Sequence, residues 1–175
     1  YSKSLSIESY KQFDPAWKDL KTSCGGTMGS QGCTITSCAM VFDISPDEHL
    51  KEMKAQKSAD CPYNWDVACD LKNKSVSLVE GNFDELKHDI FDHLYNQDLP
   101  VIVEVKGSRT HYVVAKGFRG TLTVREDEDG NKYPNTSEIT ASMFKVNDPG
   151  SNSRSTLQDV INSYSEGVIR YVVFS

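Results

Sequence analysis

No stretch of the 175 residues approaches the roughly 18 consecutive apolar residues of a membrane span, so no segment reads as a bilayer-crossing helix. A basic stripe is missing as well. The 19 Lys and Arg are outnumbered by 25 Asp and Glu, for a net charge of −6, and they are scattered in short groups. Partners such as a phosphate backbone or an anionic membrane surface call for the opposite arrangement, so nucleic acid and membrane insertion are both excluded as the main business of the chain. There is no low-complexity linker and no internal repeat, which makes one domain over 1–175 the economical reading. Disorder is excluded by what is present: 38% apolar and 10% aromatic residues are enough to bury a core. The sequence opens on Tyr1 rather than Met, which suggests a processed protein or a domain excised from a longer one.

The tight C-x2-C knuckle of structural zinc is also lacking. The five cysteines, Cys24, Cys33, Cys38, Cys61 and Cys69, are spaced C-x8-C, C-x4-C and C-x7-C where they lie close, and none of these is a zinc spacing. Five is odd, so at least one thiol stays free or pairs outside the chain. Two disulfides with one working thiol in an oxidising compartment, or five reduced thiols in a cytosol, both satisfy the count.

The order of elements is readable from periodicity. Up to about Ser30 the chain is turn-rich, with Asp14-Pro15 and Cys24-Gly25-Gly26, and reads as irregular wrapping. From Cys33 the residues Ile35, Cys38, Ala39, Val41 and Phe42 predict a buried helix with Cys33 in its first turn. Ser45-Pro46-Asp47-Glu48 predicts a capping box opening a second helix to about Gln56. Further helices are predicted from Asn64 to Leu71, after Asn82, and from Thr156 to Ile161. Strands are predicted at Val101–Val105, His111–Ala115, Leu122–Arg125, Phe144–Val146 and Val168–Phe174, with Asp129-Gly130-Asn131 as a hairpin turn. Helices first and strands afterwards predict an α+β domain, an N-terminal helical layer packed on a mainly antiparallel sheet.

Within that frame one set of residues has the makings of thiol chemistry. A nucleophilic thiolate is favoured at a helix N-terminus, and Cys33 is placed there, with Gly32 before it leaving room for a substrate. His111, at the start of an apolar strand, is the candidate base, and Asp148 in Asn147-Asp148-Pro149-Gly150 is placed to orient it. Gln12 is the candidate amide donor to an oxyanion, beside the Cys33 backbone N–H. The rivals are weaker. Cys24 precedes a Gly-Gly pair but begins no helix; Cys38 falls on another face of the Cys33 helix. Cys61 and Cys69 flank Pro62-Tyr63-Asn64-Trp65 and invite a small disulfide loop. His88 and His93 do not share a helical face and read as solvated surface rather than metal ligands. Glu126–Gly130 has Arg125 where a calcium loop needs its first ligand, so it reads as a charged hairpin.

Five segments in order carry a likeness: Tyr10-Lys11-Gln12-Phe13-Asp14-Pro15-Ala16-Trp17, Gly32-Cys33-Thr34-Ile35-Thr36-Ser37-Cys38-Ala39-Met40-Val41, Leu99-Pro100-Val101-Ile102-Val103, His111-Tyr112-Val113-Val114 and Val146-Asn147-Asp148-Pro149. Together they resemble the C39-like peptidases of the papain-like cysteine peptidase group, over nearly the whole chain. The resemblance implies a papain-like fold with Cys33 as nucleophile, His111 as base, Asp148 as orienter and Gln12 in the oxyanion hole. It implies cleavage of an amide in a peptide or cell-wall peptide through a Cys33 acyl-enzyme, with no metal or organic cofactor. A secreted or cell-surface bacterial protein acting as a monomer is the matching setting. With Cys33 set aside, Cys24, Cys38, Cys61 and Cys69 form an even set that admits two disulfides of unassigned pairing. Two rival functions share the residues: a papain-like binding module that has lost turnover, and a transglutaminase-like acyl transferase.

Overall fold

Every residue from Val101 to Val105 is buried, which requires cover on both faces of the sheet that contains them. The computed structural model describes residues 1–175 and supplies that cover. The strands are β1 Ser2–Ser4, β2 Val76–Glu80, β3 Val101–Lys106, β4 Thr110–Arg119, β5 Val124–Glu126, β6 Lys132–Pro134, β7 Phe144–Asn147 and β8 Gly167–Phe174. The α-helices are α1 Met28–Gln31, α2 Cys33–Phe42, α3 Pro46–Lys54, α4 Trp65–Lys72, α5 Phe83–Phe91 and α6 Leu157–Tyr164. Six strands form one sheet in the order β1-β4-β3-β8-β2, with β7 also on β4 and every pair antiparallel; β5 and β6 make a separate hairpin. The fold is therefore α+β with a mainly antiparallel sheet.

The pleat sends alternate residues to opposite faces. Val101, Val103, Val105, Val113, Ala115, Tyr171 and Val173 pack with Leu86 and Ile90 of α5 and Leu157 and Val160 of α6. Ile102, Val114, Val172 and Phe174 pack instead with Met28, Ile35, Cys38, Leu50, Met53 and Ala68 of α1–α4. The expected single helical layer is thus half of the arrangement: α1–α4 cover one face, and α5 with α6 cover the other.

Local signals explain most of the helix starts. Asn64 accepts from the Val67 N–H at α4, and reciprocal boxes Asn82–Glu85 and Thr156–Asp159 open α5 and α6. The box expected at Ser45 does not form, since the Ser45 hydroxyl makes no cap bond. Pro46 at the first position and Asp47 and Glu48 in the first turn start α3 without it. Four elements escaped the sequence pattern: β1, the single-turn α1, β2, an edge strand with no fully buried residue, and β6, the return strand of the charged hairpin. Leu122 lies outside β5 and packs into the core.

Three attachments bring distant segments to one place. Helix α2 packs on β4, where the Ser37 hydroxyl donates to the Tyr112 carbonyl at 3.2 Å. The antiparallel register Val114↔Asn147 sets the end of β7 beside the start of β4. The irregular N-terminal segment crosses that end: the Gln12 N–H donates to the Pro149 carbonyl at 2.9 Å, and Lys11 Nζ donates to the Asp148 and Ser151 carbonyls at 2.7 Å each.

Candidate active site

Cys33 is the first residue of α2, half-buried, and the N-cap Gly32 contributes no side-chain bond to the helix end. The unsatisfied N–H groups and positive dipole end of α2 therefore face the sulfur. Burial alone would push the thiol up. The neighbouring His111 imidazole, with the Tyr112 backbone N–H and the Thr34 hydroxyl, outweighs burial and brings its pKa below 9.0. Gly32 is required for a reason other than substrate access. A Cβ there would meet the Met28 carbonyl oxygen at 2.4 Å, so glycine is what lets α1 run directly into α2 and fixes where Cys33 stands.

His111 is 4% exposed, and its Nε2–H donates to Asp148 Oδ1 at 2.6 Å. That leaves Nδ1 as the nitrogen serving Cys33. Burial pushes the imidazole down, but the bonds and negative charges of Asp148 and Cys33 overcome it and raise the pKa to about 9. Asp148 is held ionised in turn: burial favours its acid form, and His111, Arg154 and the Gly150 N–H outweigh that. Its Oδ1 accepts the Gly150 N–H at 2.8 Å and its Oδ2 accepts Arg154 Nε at 2.6 Å. The opposite shifts of thiol and imidazole favour a thiolate–imidazolium pair over the neutral one, with a fixed carboxylate behind it.

Gln12, far upstream in sequence, reaches the same place. It is 8% exposed and lines a cleft of about 210 Å³ with Gly29, Cys33, His111, Gly150 and Tyr164. One hydrogen of its Nε2 goes to the Gly29 carbonyl at 3.0 Å, and an amide nitrogen carries two. Its Oε1 is buried without a partner. Of the four residues singled out by sequence, Gln12, Cys33 and His111 thus line one opening, and Asp148 is buried behind His111.

The other cysteines divide differently from the expected even set. Cys24 and Cys61 form a disulfide with Cα atoms 5.5 Å apart, while Cys38 and Cys69 remain thiols. The small loop between Cys61 and Cys69 does not close, and Cys24 is no rival nucleophile. The pairing is prepared by Asp60, whose carboxylate accepts the Ser23 N–H at 2.9 Å and the Ser23 hydroxyl at 2.6 Å. Burial pushes the Cys38 thiol far up; burial with Asp66 and Asp70 pushes the Cys69 thiol up as well. Of three free thiols, Cys33 alone is shifted toward the thiolate. His88 is exposed, with Nδ1 at the Thr136 hydroxyl, and His93 is half-buried against Tyr171. Asp127 closes the charged hairpin by accepting the Asp129 and Asn131 N–H groups. No group of three or more His, Cys, Asp or Glu side chains is arranged to hold a metal ion.

Two contributors were missed by sequence reasoning. Arg154 binds the orienting carboxylate, and Tyr164, the last residue of α6, stacks on the His111 ring at 5.0 Å and 8°. Arg154 in turn lies over the Tyr164 ring at 5.4 Å. Neither carries a local signal, because each meets His111 or Asp148 only through the return of the chain after β7. No protein-family model matches the sequence, and no curated protein matches it.

Proposed function

We propose that the chain is a papain-like, C39-like cysteine peptidase that hydrolyses an amide bond through a Cys33 acyl-enzyme. The observation that carries this reading is that Cys33 and His111 line one cleft, that the imidazole is anchored to a buried carboxylate at 2.6 Å, and that Cys33 is the one free thiol lowered in pKa. The Cys33 thiolate attacks the carbonyl carbon, and the oxyanion is met by the Cys33 N–H and the free Gln12 Nε2–H. The His111 imidazolium gives its Nδ1 proton to the departing amine. Neutral His111 then takes a proton from water, which attacks the thioester and releases the acid and the thiolate. Asp148 accepts the Nε2–H throughout and keeps the ring in that tautomer. These steps call on no metal and no organic cofactor.

The substrate on this reading is a peptide or cell-wall peptide. The Cys24–Cys61 disulfide favours an oxidising, extracellular or cell-surface setting. The test is Cys33→Ala with wild type as reference, followed on generic peptides and on peptidoglycan, with mass spectrometry for a thioester on Cys33. A loss of at least about 10³-fold is expected for a nucleophile; undiminished turnover overturns the proposal. Adding a primary amine to the same assay separates hydrolysis from acyl transfer.

A further inference from the structure

A second hollow abuts the cleft of Cys33, and the steps above make no use of it. Its lining is Ser108, Arg109, Arg154, Ser163, Tyr164 and Ser165, and it shares Arg109 and Tyr164 with the cleft of the nucleophile. Two arginines, three serines and a tyrosine therefore line one space, and no carboxylate lines it. Glu166, the acid next in sequence, lines a different hollow with Asn82 and Phe83. In a chain of net charge −6 this local excess of cation runs against the average field. Arg109 is exposed and enters no ion pair or side-chain hydrogen bond. Arg154 commits Nε to Asp148, which leaves its two terminal nitrogens for another acceptor. A Cβ built on Gly150 would lie 3.4 Å from Arg154 Nη2, and Gly150 lines the nucleophile's cleft, so this guanidinium borders both spaces.

The position of the hollow relative to His111 says which part of a substrate enters it. Arg109 lies two residues before His111, and Tyr164 stacks on the imidazole and also packs against the Arg154 guanidinium. On the proposed reaction His111 protonates the departing amine, so that amine lies on the imidazole side of the sulfur and the oxyanion on the Gln12 side. We propose that Arg109 and Arg154 form a carboxylate-binding subsite for the residue on the leaving side of the scissile amide. This assignment rests on the hydrolytic reading for its orientation; the anion site itself does not. The carboxylate has two sources, the side chain of an Asp or Glu in that position or the terminal carboxylate of a single departing amino acid. A planar guanidinium pair suits either.

The first arm of the test needs no turnover. Second-order rates of Cys33 alkylation by iodoacetate and by iodoacetamide are measured at physiological salt for wild type, Arg109→Gln and Arg125→Gln. The ratio of the anionic to the neutral reagent falls about tenfold in Arg109→Gln, whereas Arg125→Gln, which removes the same charge from the β5–β6 hairpin, keeps the wild-type ratio. An unchanged ratio in Arg109→Gln, or an equal fall in both variants, overturns the subsite. The second arm uses peptides alike except for Glu, Gln or Lys at the leaving residue, each with a free or amidated terminus. Wild type favours Glu over Gln about tenfold if the side chain is the ligand, or free over amidated terminus if the terminal group is, and Arg109→Gln loses that preference. Cleavage without either preference overturns the proposal. No cleavage of any peptide, with the alkylation ratio still dependent on Arg109, removes the hydrolytic reading and leaves the anion site standing.

Discussion

His111 and His49 are both buried, at 4% and 0% exposure, and each ring donates to a carboxylate, at 2.6 Å and 2.8 Å. Their proton affinities move in opposite directions. At His49 burial prevails over the bond and charge of Glu52, Lys72 adds to it, and the pKa falls below 6.5. Glu52 is 30% exposed at its side chain and binds Lys72 Nζ at 2.7 Å, so much of its charge is answered by water and a cation. The other ring nitrogen of His49 accepts from the neutral Tyr63 hydroxyl at 2.7 Å. At His111 the carboxylate is fully buried and the second partner is a thiol that ionises. A buried histidine beside an acid is therefore no base by itself. The solvent exposure of the acid and the charge state of the group on the far nitrogen decide which way it goes.

The sharpest test of that contrast substitutes the two histidines in parallel. His111→Ala should cost about 10²–10⁴-fold in hydrolysis, the range of a positioned acid–base group, with modest loss of stability because Arg154 and the Gly150 N–H still hold Asp148. His49→Ala should keep turnover wherever the protein is folded, yet lose about 2–4 kcal/mol by emptying a sealed site and stranding Tyr63 and Glu52. Urea unfolding and kcat/KM measured on both variants read the two losses separately. A folded His49→Ala protein without activity would break the comparison.

Asp148→Asn probes the carboxylate that makes the difference. In wild type kcat/KM should fall at acid pH as the Cys33 thiolate is protonated, and its alkaline limb should lie at the His111 pKa of about 9, as the imidazolium that protonates the leaving amine loses its proton. Removing the Asp148 charge removes the largest influence raising that pKa, so the alkaline limb moves to lower pH and the plateau drops by about 10²-fold. Retention of the limb near its wild-type position would show that Cys33 alone sustains the imidazolium. The equivalent change at His49, Glu52→Gln, should leave the profile where it was.

The contrast between the two histidines also marks where the sequence was legible. Cys33, His111 and Asp148 stand at ends of elements with strong local patterns: an apolar helix beginning at a cysteine, a Val-rich strand and a strand closed by Asp-Pro-Gly. Short-range pattern sets those element ends, and antiparallel pairing then joins them. The residues that tune the site come from pairings that pattern does not encode. Arg154 and Tyr164 approach from the return loop and the end of α6, and Cys24 meets Cys61 across 37 residues because Ser23 docks on Asp60. Gly32 has a second role that local pattern does not encode, the close approach of the Met28 carbonyl at the junction of α1 and α2. His49 gave no signal beyond its place on α3, because Tyr63, which it bonds, and Lys72, which binds its partner Glu52, lie on later segments. The two-faced sheet was legible in part: Val101–Val105 declares burial on both sides but not which helices supply it.

The smallest effect to look for is the dependence of stability on pH, where the two histidines oppose each other. The His111 pKa is raised in the folded chain, so its contribution is fully present below 6.5 and is lost as pH rises through about 9. The His49 pKa is lowered, so its neutral form is favoured by folding, and stability is lost as pH falls below 6.5, where the unfolded chain takes up the proton more readily. Melting curves from pH 8 to pH 5 on wild type and His49→Gln isolate the second term. A glutamine at this position keeps a polar, uncharged side chain and does not titrate. The gap in Tm between the two proteins should be widest above 6.5 and shrink as the pH is lowered, on a scale of about 2–4 °C per kcal/mol for a chain this long. A gap that stays constant across that range would mean His49 is protonated as easily in the fold as outside it, and that the exposed Glu52 is after all as strong a partner as the buried Asp148.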